Sequence, residues 1–163
     1  MQPSFRVVID HCIERRVSTA EEADALYNEL AQRPVFTANA YSGSGIDPSL
    51  DLIVESGRAH VFYIDRERQV KRASRDHNCT ERGIVSLRND EYPDLELDQI
   101  EFQCRALISS EQAIAIFRHY LKTGEPVDLV PWPSPDEQEW DGELTPDAVK
   151  PLDEPGFDQD NPF

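Results

Sequence analysis

The stretch LDLIVESGRAHVFYIDRE, residues 50–67, is the feature that most constrains the fold of this chain. Apolar residues recur at every second position on both sides of a Ser56-Gly57 pair, at Leu50, Leu52, Val54, Ala59, Val61 and Tyr63. This period of two around a short glycine-containing turn is typical of a β-hairpin that buries one face. An antiparallel sheet is therefore predicted, and its apolar face needs a second layer to cover it.

Two segments have the spacing of amphipathic helices and would supply that layer. The first is predicted over about 20–32, where Thr19 and Glu22 have the spacing of a capping box. In the second, Ser109 and Gln112 have the same capping-box spacing, and the helix ends at Gly124, which readily adopts the left-handed conformation. Its apolar face is formed by Ala113, Ile116, Phe117, Tyr120 and Leu121.

The remaining strands are less strongly patterned. They are predicted at 5–9, 69–74, 83–88, 99–107 and 127–130, whereas 37–49 has the composition of a loop. Within 99–107, Ile100, Phe102 and Cys104 fall on one face, so Cys104 is interpreted as a packing residue and not as a nucleophile. This order predicts an α+β fold with an antiparallel-rich sheet of about five or six strands covered by two helices.

Charge divides the chain into two parts. Residues 133–163 hold ten acids, one base and six of the twelve prolines, whereas residues 1–132 hold 22 acids and 15 bases. Like charges and prolines oppose compact packing. We therefore predict a folded domain over 1–132 and an acidic, proline-rich C-terminal tail over 133–163. The net charge of −16 disfavours nucleic acid and anionic membranes as partners and favours a basic protein.

The location is expected to be cytoplasmic. No apolar run approaches the roughly 20 residues of a membrane helix, and the N-terminal residues lack the apolar core of a signal peptide. The three cysteines, Cys12, Cys79 and Cys104, are odd in number and widely spaced, which fits a reducing compartment better than a disulfide framework.

Motifs that carry catalysis are absent from the sequence. It has no glycine-rich phosphate loop, no nucleophile elbow and no Cys-x-x-Cys pair. His11 with Cys12, and His77 with Cys79, offer soft metal ligands, but nothing in the sequence brings the two pairs together. We expect neither a metal nor a cofactor, and no enzymatic activity. The basic stretch 66–75 is either a phosphate-binding patch or the solvated edge of a hairpin.

The chain resembles a family of bacterial immunity proteins encoded beside polymorphic toxins, often toxins that deaminate or cleave nucleic acid. The resemblance lies in PVF after the first helix, the central hairpin, and SSEQAIAIFRHYLKTGEPVDLVPW at residues 109–132. It covers roughly residues 26–132 and leaves the tail outside. It implies a non-catalytic protein that binds a cognate toxin domain one-to-one as a monomer and occludes the basic cleft of that toxin.

Candidate partner-binding residues follow from charge and aromatic content. The start of the tail is the densest acidic stretch that carries an aromatic, and Trp140 is its candidate anchor. Trp132 either closes the core beside the last strand or begins this binding surface. The full candidate set is Trp132, Asp136, Glu137, Glu139, Trp140 and Asp141 in or next to the tail, with Glu91, Asp94 and Glu96 in the domain.

Two other functions stay open from the sequence. The chain is alternatively an adaptor or chaperone-like module that binds a basic protein other than a toxin. It is also compatible with an enzyme that uses the basic stretch 66–75 and nearby carboxylates on a phosphorylated substrate. Identifying the bound partner separates the first from immunity, and activity screens with phosphorylated ligands address the second.

Overall fold

The fold was obtained as a computed structural model, which describes residues 3–43, 45, 47–76, 78–79, 84–88 and 99–131. Its helices are α1 (Ala20–Leu30) and α2 (Ser110–Thr123), and a short 3-10 helix covers Cys104–Ala106. The described strands are β1 (Phe5–Ile9), β2 (Ile13–Val17), β3 (Val35–Ser42), β4 (Ser49–Glu55), β5 (Arg58–Asp65), β6 (Val70–Ala73), β7 (Ile84–Arg88), β8 (Gln99–Gln103), β9 (Ile108–Ser109) and β10 (Val130–Pro131).

Most of these strands form one antiparallel sheet in the order β10-β6-β5-β4-β3-β1-β2, and β9 pairs with β5 at one end. Strands β7 and β8 pair separately as an antiparallel hairpin. The predicted α+β class, with an antiparallel sheet and two helices, is confirmed. The predicted strand number of five or six is too low, because the main sheet alone has eight strands.

Helices α1 and α2 pack against each other, and α2 covers β4 and β5. The inward residues of the central hairpin, such as Leu52 and Val61, join Ile116, Phe117 and Tyr120 of α2 in one buried core. The predicted core positions on α2 are thus confirmed. The side chains of Ile100 and Phe102, which we also placed in the core, lie outside the described part of the structure.

Both helices begin at their predicted N-caps, and the described capping box has both of its hydrogen bonds in α1, whereas α2 shows the bond to the Ser109 hydroxyl. The Thr19 hydroxyl accepts from the Glu22 amide at 3.1 Å, and the Glu22 carboxylate accepts from the Thr19 amide at 3.2 Å. The Ser109 hydroxyl accepts from the Gln112 amide, and Gly124 ends α2 with φ of 77°. Because Gly124 has no Cβ, it adopts this left-handed conformation without steric cost.

The sequence prediction was wrong for four of the described strands. Strand β3 occupies the first six residues of the segment 37–49 that we interpreted as a loop, and β2 was not predicted. The inward residues of β3 are Phe36, Ala38 and Ala40, so small side chains concealed its alternation. The strand predicted over 99–107 ends at Gln103, where the 3-10 helix begins, and the last strand spans only Val130–Pro131.

The β7–β8 hairpin lies on the face of the sheet opposite the helices. Strand β4 pairs with β3 on one side and β5 on the other, and α2 covers one of its faces. Strand β7 also contacts β4, so it approaches from the remaining face. Leu87 of β7 is buried outside the helix-side core, which agrees with this placement. We call this side of the sheet, which includes Asn39, Asp51 and Phe62, the second face.

Candidate interaction surface

Asp51 is the most unusual polar residue of the second face. It lies on β4 between the buried Leu50 and Leu52, with Asn39 of β3 and Phe62 of β5 as its cross-strand neighbours. The Asn39 side-chain amide donates a 2.8 Å hydrogen bond to one oxygen of the carboxylate. The central position of β4 therefore fixes an acid in the middle of the sheet.

Burial governs the electrostatics of this acid. Desolvation raises the pKa of the Asp51 carboxyl above its usual value, and the hydrogen bond from Asn39 and the charges of His11 and Arg66 only partly oppose this rise. The folded protein therefore holds the charge of Asp51 at a cost in stability. A perturbed carboxyl on an accessible face is a candidate for a functional role.

A tyrosine and an arginine continue the same face beyond Asn39. Tyr41 of β3 is the cross-strand partner of Arg6 of β1, and the Arg6 guanidinium lies over the Tyr41 ring at 4.7 Å from its centroid. Burial and the nearby Asp51 charge raise the pKa of the Tyr41 hydroxyl, and Arg6 opposes them. On the second face, neighbouring residues of β1, β3 and β4 therefore present a cation, an aromatic ring, an amide and a carboxylate. These are Arg6, Tyr41, Asn39 and Asp51.

This arrangement suits binding better than catalysis. A general acid or base needs a reacting group within hydrogen-bond distance, and nucleophilic catalysis needs a nucleophile beside its base. Around Asp51 the described contacts are the Asn39 amide and long-range charges. A carboxylate that is already partly desolvated is suited to pair with an incoming guanidinium or ammonium group, since charge-assisted hydrogen bonds are the strong ones.

Replacing Asp51 with asparagine is expected to raise the free energy of unfolding at pH 7. Asparagine still accepts the hydrogen bond from Asn39 but removes the desolvated charge. We expect the free energy of unfolding, measured by urea titration, to rise by more than about 0.5 kcal/mol. This threshold is the spread of ordinary surface substitutions. Asp128→Asn, the same chemical change at an exposed site, is the control and should stay within that spread.

The pH dependence of this gain has a defined sign. Because the folded pKa is raised, the Asp51 penalty is present at neutral pH and is relieved as the pH falls through the folded pKa. The advantage of Asp51→Asn should therefore shrink on acidification. A variant that is less stable than the wild type at pH 7 would show that the carboxylate stabilises the fold.

The basic stretch 66–75 forms the β5–β6 turn and the strand β6 that follows it. Arg66 and Arg68 are 65% and 80% exposed, and they lie 3.6 and 3.5 Å from the carboxylates of Asp47 and Asp65. The Asp47 carboxylate also accepts from the Arg66 amide at 2.9 Å. The two carboxylates at this hairpin are thus engaged in local pairs, which supports the interpretation of a solvated hairpin.

A cleft of about 210 Å³ opens at the end of the sheet where β5 meets β9. Its walls include Arg58, Asp76, Cys79, Cys104 and Leu107. This volume lies below the roughly 300–1,000 Å³ of typical ligand pockets. Cys104 lies in the 3-10 helix at the wall of this cleft, half-buried, so our interpretation of it as an inward residue of a strand was wrong.

All of the partner-binding residues predicted from the sequence lie outside the described part of the structure. They are Glu91, Asp94, Glu96, Trp132, Asp136, Glu137, Glu139, Trp140 and Asp141. The structure does show the described strands next to which the segments carrying these residues begin. Residues 89–98 connect β7 to β8, and the tail follows Pro131, whose cross-strand partner is Arg72.

Sequence reasoning missed Asp51 as a candidate site residue. The alternation of the central hairpin already placed it on the outward face of β4, where an acid is ordinary. Its raised pKa depends on burial in the folded protein, and its hydrogen-bond donor is Asn39. Asn39 lay in the segment that we interpreted as a loop. Recognising Phe36, Ala38 and Ala40 as an inward row would have placed Asn39 and Tyr41 on the same face as Asp51.

The described residues offer neither a metal site nor a membrane-spanning helix. No group of three or more His, Cys, Asp and Glu side chains is placed to hold a metal ion within the described ranges, and His77 lies outside them. Neither α1 nor α2 has the length and apolar character needed to cross a membrane. In comparisons with known proteins, no protein-family model and no curated protein matches the chain.

Proposed function

We propose that this protein is an immunity protein that binds a cognate toxin domain and inhibits it without turnover. The toxin is expected to act on nucleic acid as a deaminase or nuclease. Such a toxin needs a basic cleft, because phosphates dominate the binding of nucleic acid. The inhibitor would occlude this cleft in the cytoplasm as a one-to-one complex, and it needs no cofactor of its own.

The observation that carries the proposal is the uneven distribution of acids and bases along the chain. The described residues hold 16 acids and 14 bases, so the sheet and helices are almost neutral. Residues 89–98 hold five acids and no base, and residues 133–163 hold ten acids and one base. Nearly all of the negative excess therefore belongs to two segments that join the fold at the β7–β8 hairpin and after β10.

This distribution matches the two requirements of a tight inhibitor. Concentrated acids speed the encounter with a basic cleft, with rates up to about 10⁸–10⁹ M⁻¹s⁻¹ at low salt. Holding the complex requires anchors that are desolvated, and in the described residues Asp51 fits this role. Its carboxylate lies on the second face, on the strand that β7 contacts, and a toxin arginine or lysine would offset its desolvation.

The proposal is tested by co-expression with the toxin encoded by the neighbouring gene, in a sensitive host. The wild type should protect and should co-purify with the toxin domain. Neutralising the segment between β7 and β8 with Glu91→Gln, Asp94→Asn and Glu96→Gln should slow association roughly tenfold at low salt. The rate is measured with the purified toxin domain by surface plasmon resonance at several ionic strengths.

The matched control removes three charges elsewhere. Glu67→Gln, Glu111→Gln and Glu125→Gln lie at exposed described positions, and this variant should associate nearly as fast as the wild type. Equal slowing by both triple variants would show that net charge alone matters, and the acidic segment would lose its assigned role.

Further variants separate the tail from the folded surface. A truncation after Pro135 and Trp140→Ala test the tail, whereas Asp51→Asn tests the second face and should speed dissociation. Full protection by the first two would remove the tail from the inhibitory surface and leave immunity standing. A wild type that neither protects nor binds this toxin would refute immunity, and capture of another basic protein would then favour the adaptor function.

A further inference from the structure

We propose that Cys79 and Cys104 are a redox-active thiol pair that closes into a disulfide across the cleft at the end of the sheet. Both residues line the same cleft of about 210 Å³. Both are half-buried and remain thiols in this structure, whereas Cys12 is exposed in the β1–β2 turn. The inference concerns the protein alone and stands whether or not the proposed toxin partner is correct.

Backbone hydrogen bonds hold the two cysteines near each other. The amide of Asp76 donates to the carbonyl of Arg105, the residue after Cys104, at 2.8 Å. The amide of Cys79 donates back to the carbonyl of Asp76 at 3.2 Å, and the Asp76 carboxylate accepts from the Asn78 amide at 3.0 Å. A tight turn therefore brings Cys79 back toward the segment that contains Cys104.

A disulfide sets a geometric requirement on this pair. Bridged cysteines have Cα atoms about 4.4–6.8 Å apart, and larger separations require movement of the backbone. Cys79 lies in a turn that is outside the strands, and Cys104 begins a short 3-10 helix. Small adjustments at both positions disturb no sheet pairing, because neither residue belongs to a described strand.

The chemistry is thiol–disulfide exchange with a low-molecular-weight disulfide such as oxidised glutathione. One cysteine thiolate attacks this reagent, forms a mixed disulfide and releases one glutathione thiolate. The second cysteine thiolate then attacks the protein sulfur and displaces the other glutathione. The protein loses two electrons and two protons, and the reagent is reduced to two thiols. In a reducing cytoplasm the pair stays open, and it closes under oxidative stress.

The position of the bond gives it a structural consequence. It would close a covalent loop of 26 residues, from Cys79 to Cys104, which contains β7, β8 and the acidic segment 89–98. Within this hairpin, Leu87 is the side chain whose burial the structure describes, and β7 contacts β4 of the sheet. Oxidation would therefore link the chain on both sides of the β7–β8 hairpin at the cleft and restrict local unfolding of this hairpin.

The test oxidises the full-length, fully reduced protein with oxidised glutathione at graded potentials. In the wild type the Cys79 and Cys104 thiols should be lost together, with the two hydrogens (about 2 Da), whereas the exposed Cys12 thiol takes up one glutathione as a mixed disulfide. Non-reducing peptide mapping should show a single bond between Cys79 and Cys104. Cys12→Ser should fall from two thiols to none, whereas Cys79→Ser and Cys104→Ser should form glutathione adducts and no internal bond.

A second measurement tests the structural consequence. Amide hydrogen exchange in peptides that cover 84–103 should slow severalfold on oxidation of the wild type and of Cys12→Ser, and should not change in Cys104→Ser. A disulfide that involves Cys12, a covalent dimer, or equal glutathionylation of all three cysteines would overturn the proposal. Unchanged exchange despite a Cys79–Cys104 bond would overturn the restriction of the hairpin.

Discussion

Replacing Phe117 with alanine is expected to lower the free energy of unfolding by about 3–5 kcal/mol, the cost of truncating a fully buried aromatic residue. Phe117 is 1% exposed and lies on the face of α2 that covers β4 and β5. Nearby on the same face, Tyr120 packs against the rings of Phe5 and Tyr63, with centroids 4.8 and 5.8 Å away. Such interlocked rings cannot collapse into the cavity that the truncation leaves.

The matched control removes apolar atoms where no cavity results. Val127 is 39% exposed, so Val127→Ala should change stability by less than about 0.5 kcal/mol. Both variants are compared by urea denaturation with a common slope. A loss below about 1 kcal/mol for Phe117→Ala would mean that α2 does not cover the sheet as described.

Acidification from pH 7 to pH 4 is expected to remove about 3 kcal/mol of stability through His60 alone. Burial lowers the pKa of this imidazole from 6.5 to about 4. The unfolded chain therefore binds a proton in a pH range where the folded protein does not. Stability from this group is fully present above pH 6.5 and is lost progressively as the pH falls towards 4.

Burial keeps His60 neutral, and local hydrogen bonds fix its tautomer, although the bond to Ala106 opposes the fall in the pKa of the imidazole. Its Nδ1–H donates to the carbonyl of Ala106 at 3.2 Å, since a carbonyl can only accept. The Ser74 hydroxyl donates to the same carbonyl at 2.8 Å and accepts from the Val61 amide at 3.1 Å. This network joins β5 to the end of β6 and to the 3-10 helix beside the cleft.

Asparagine at position 60 keeps a donor near the place of Nδ1 but cannot titrate. The variant His60→Asn is expected to be less stable at pH 7, because the ring is lost, and to lose about 3 kcal/mol less than the wild type between pH 7 and 4. Chemical denaturation at half-unit pH intervals measures both slopes. Parallel pH profiles for the two proteins would show that His60 is protonated in the folded state.

The parts of the fold that could be predicted are those with a local pattern. The central hairpin repeats every two residues, and α2 shows both a helical stripe and its two caps. Strand β3 failed because Ala38 and Ala40 carry little hydrophobic signal, although the sheet buries them completely. Secondary structure that depends on such small residues is decided by the neighbouring strands and cannot be read from the segment itself.

The candidate surface was predictable only in its charge. Counting acids locates the segments 89–98 and 133–163 without any structure. Asp51, in contrast, is an ordinary outward residue by its pattern, and its raised pKa comes from desolvation by parts of the chain that are distant in sequence. The same holds for the cleft, because Cys79 and Cys104 are 25 positions apart and contacts of the folded chain, such as the hydrogen bond between Asp76 and Arg105, bring their segments together.

The two edge strands of the main sheet affect how this protein behaves at high concentration. At one edge, β2 presents the exposed charges of Glu14, Arg15 and Arg16. At the other edge, β10 ends at Pro131, which has no amide hydrogen to donate. Charged side chains and proline discourage strands of other molecules from adding to a sheet. Under the proposed function, an inhibitor consumed one-to-one must accumulate in excess of its target, and these sheet edges would allow such abundance without edge-to-edge polymerisation.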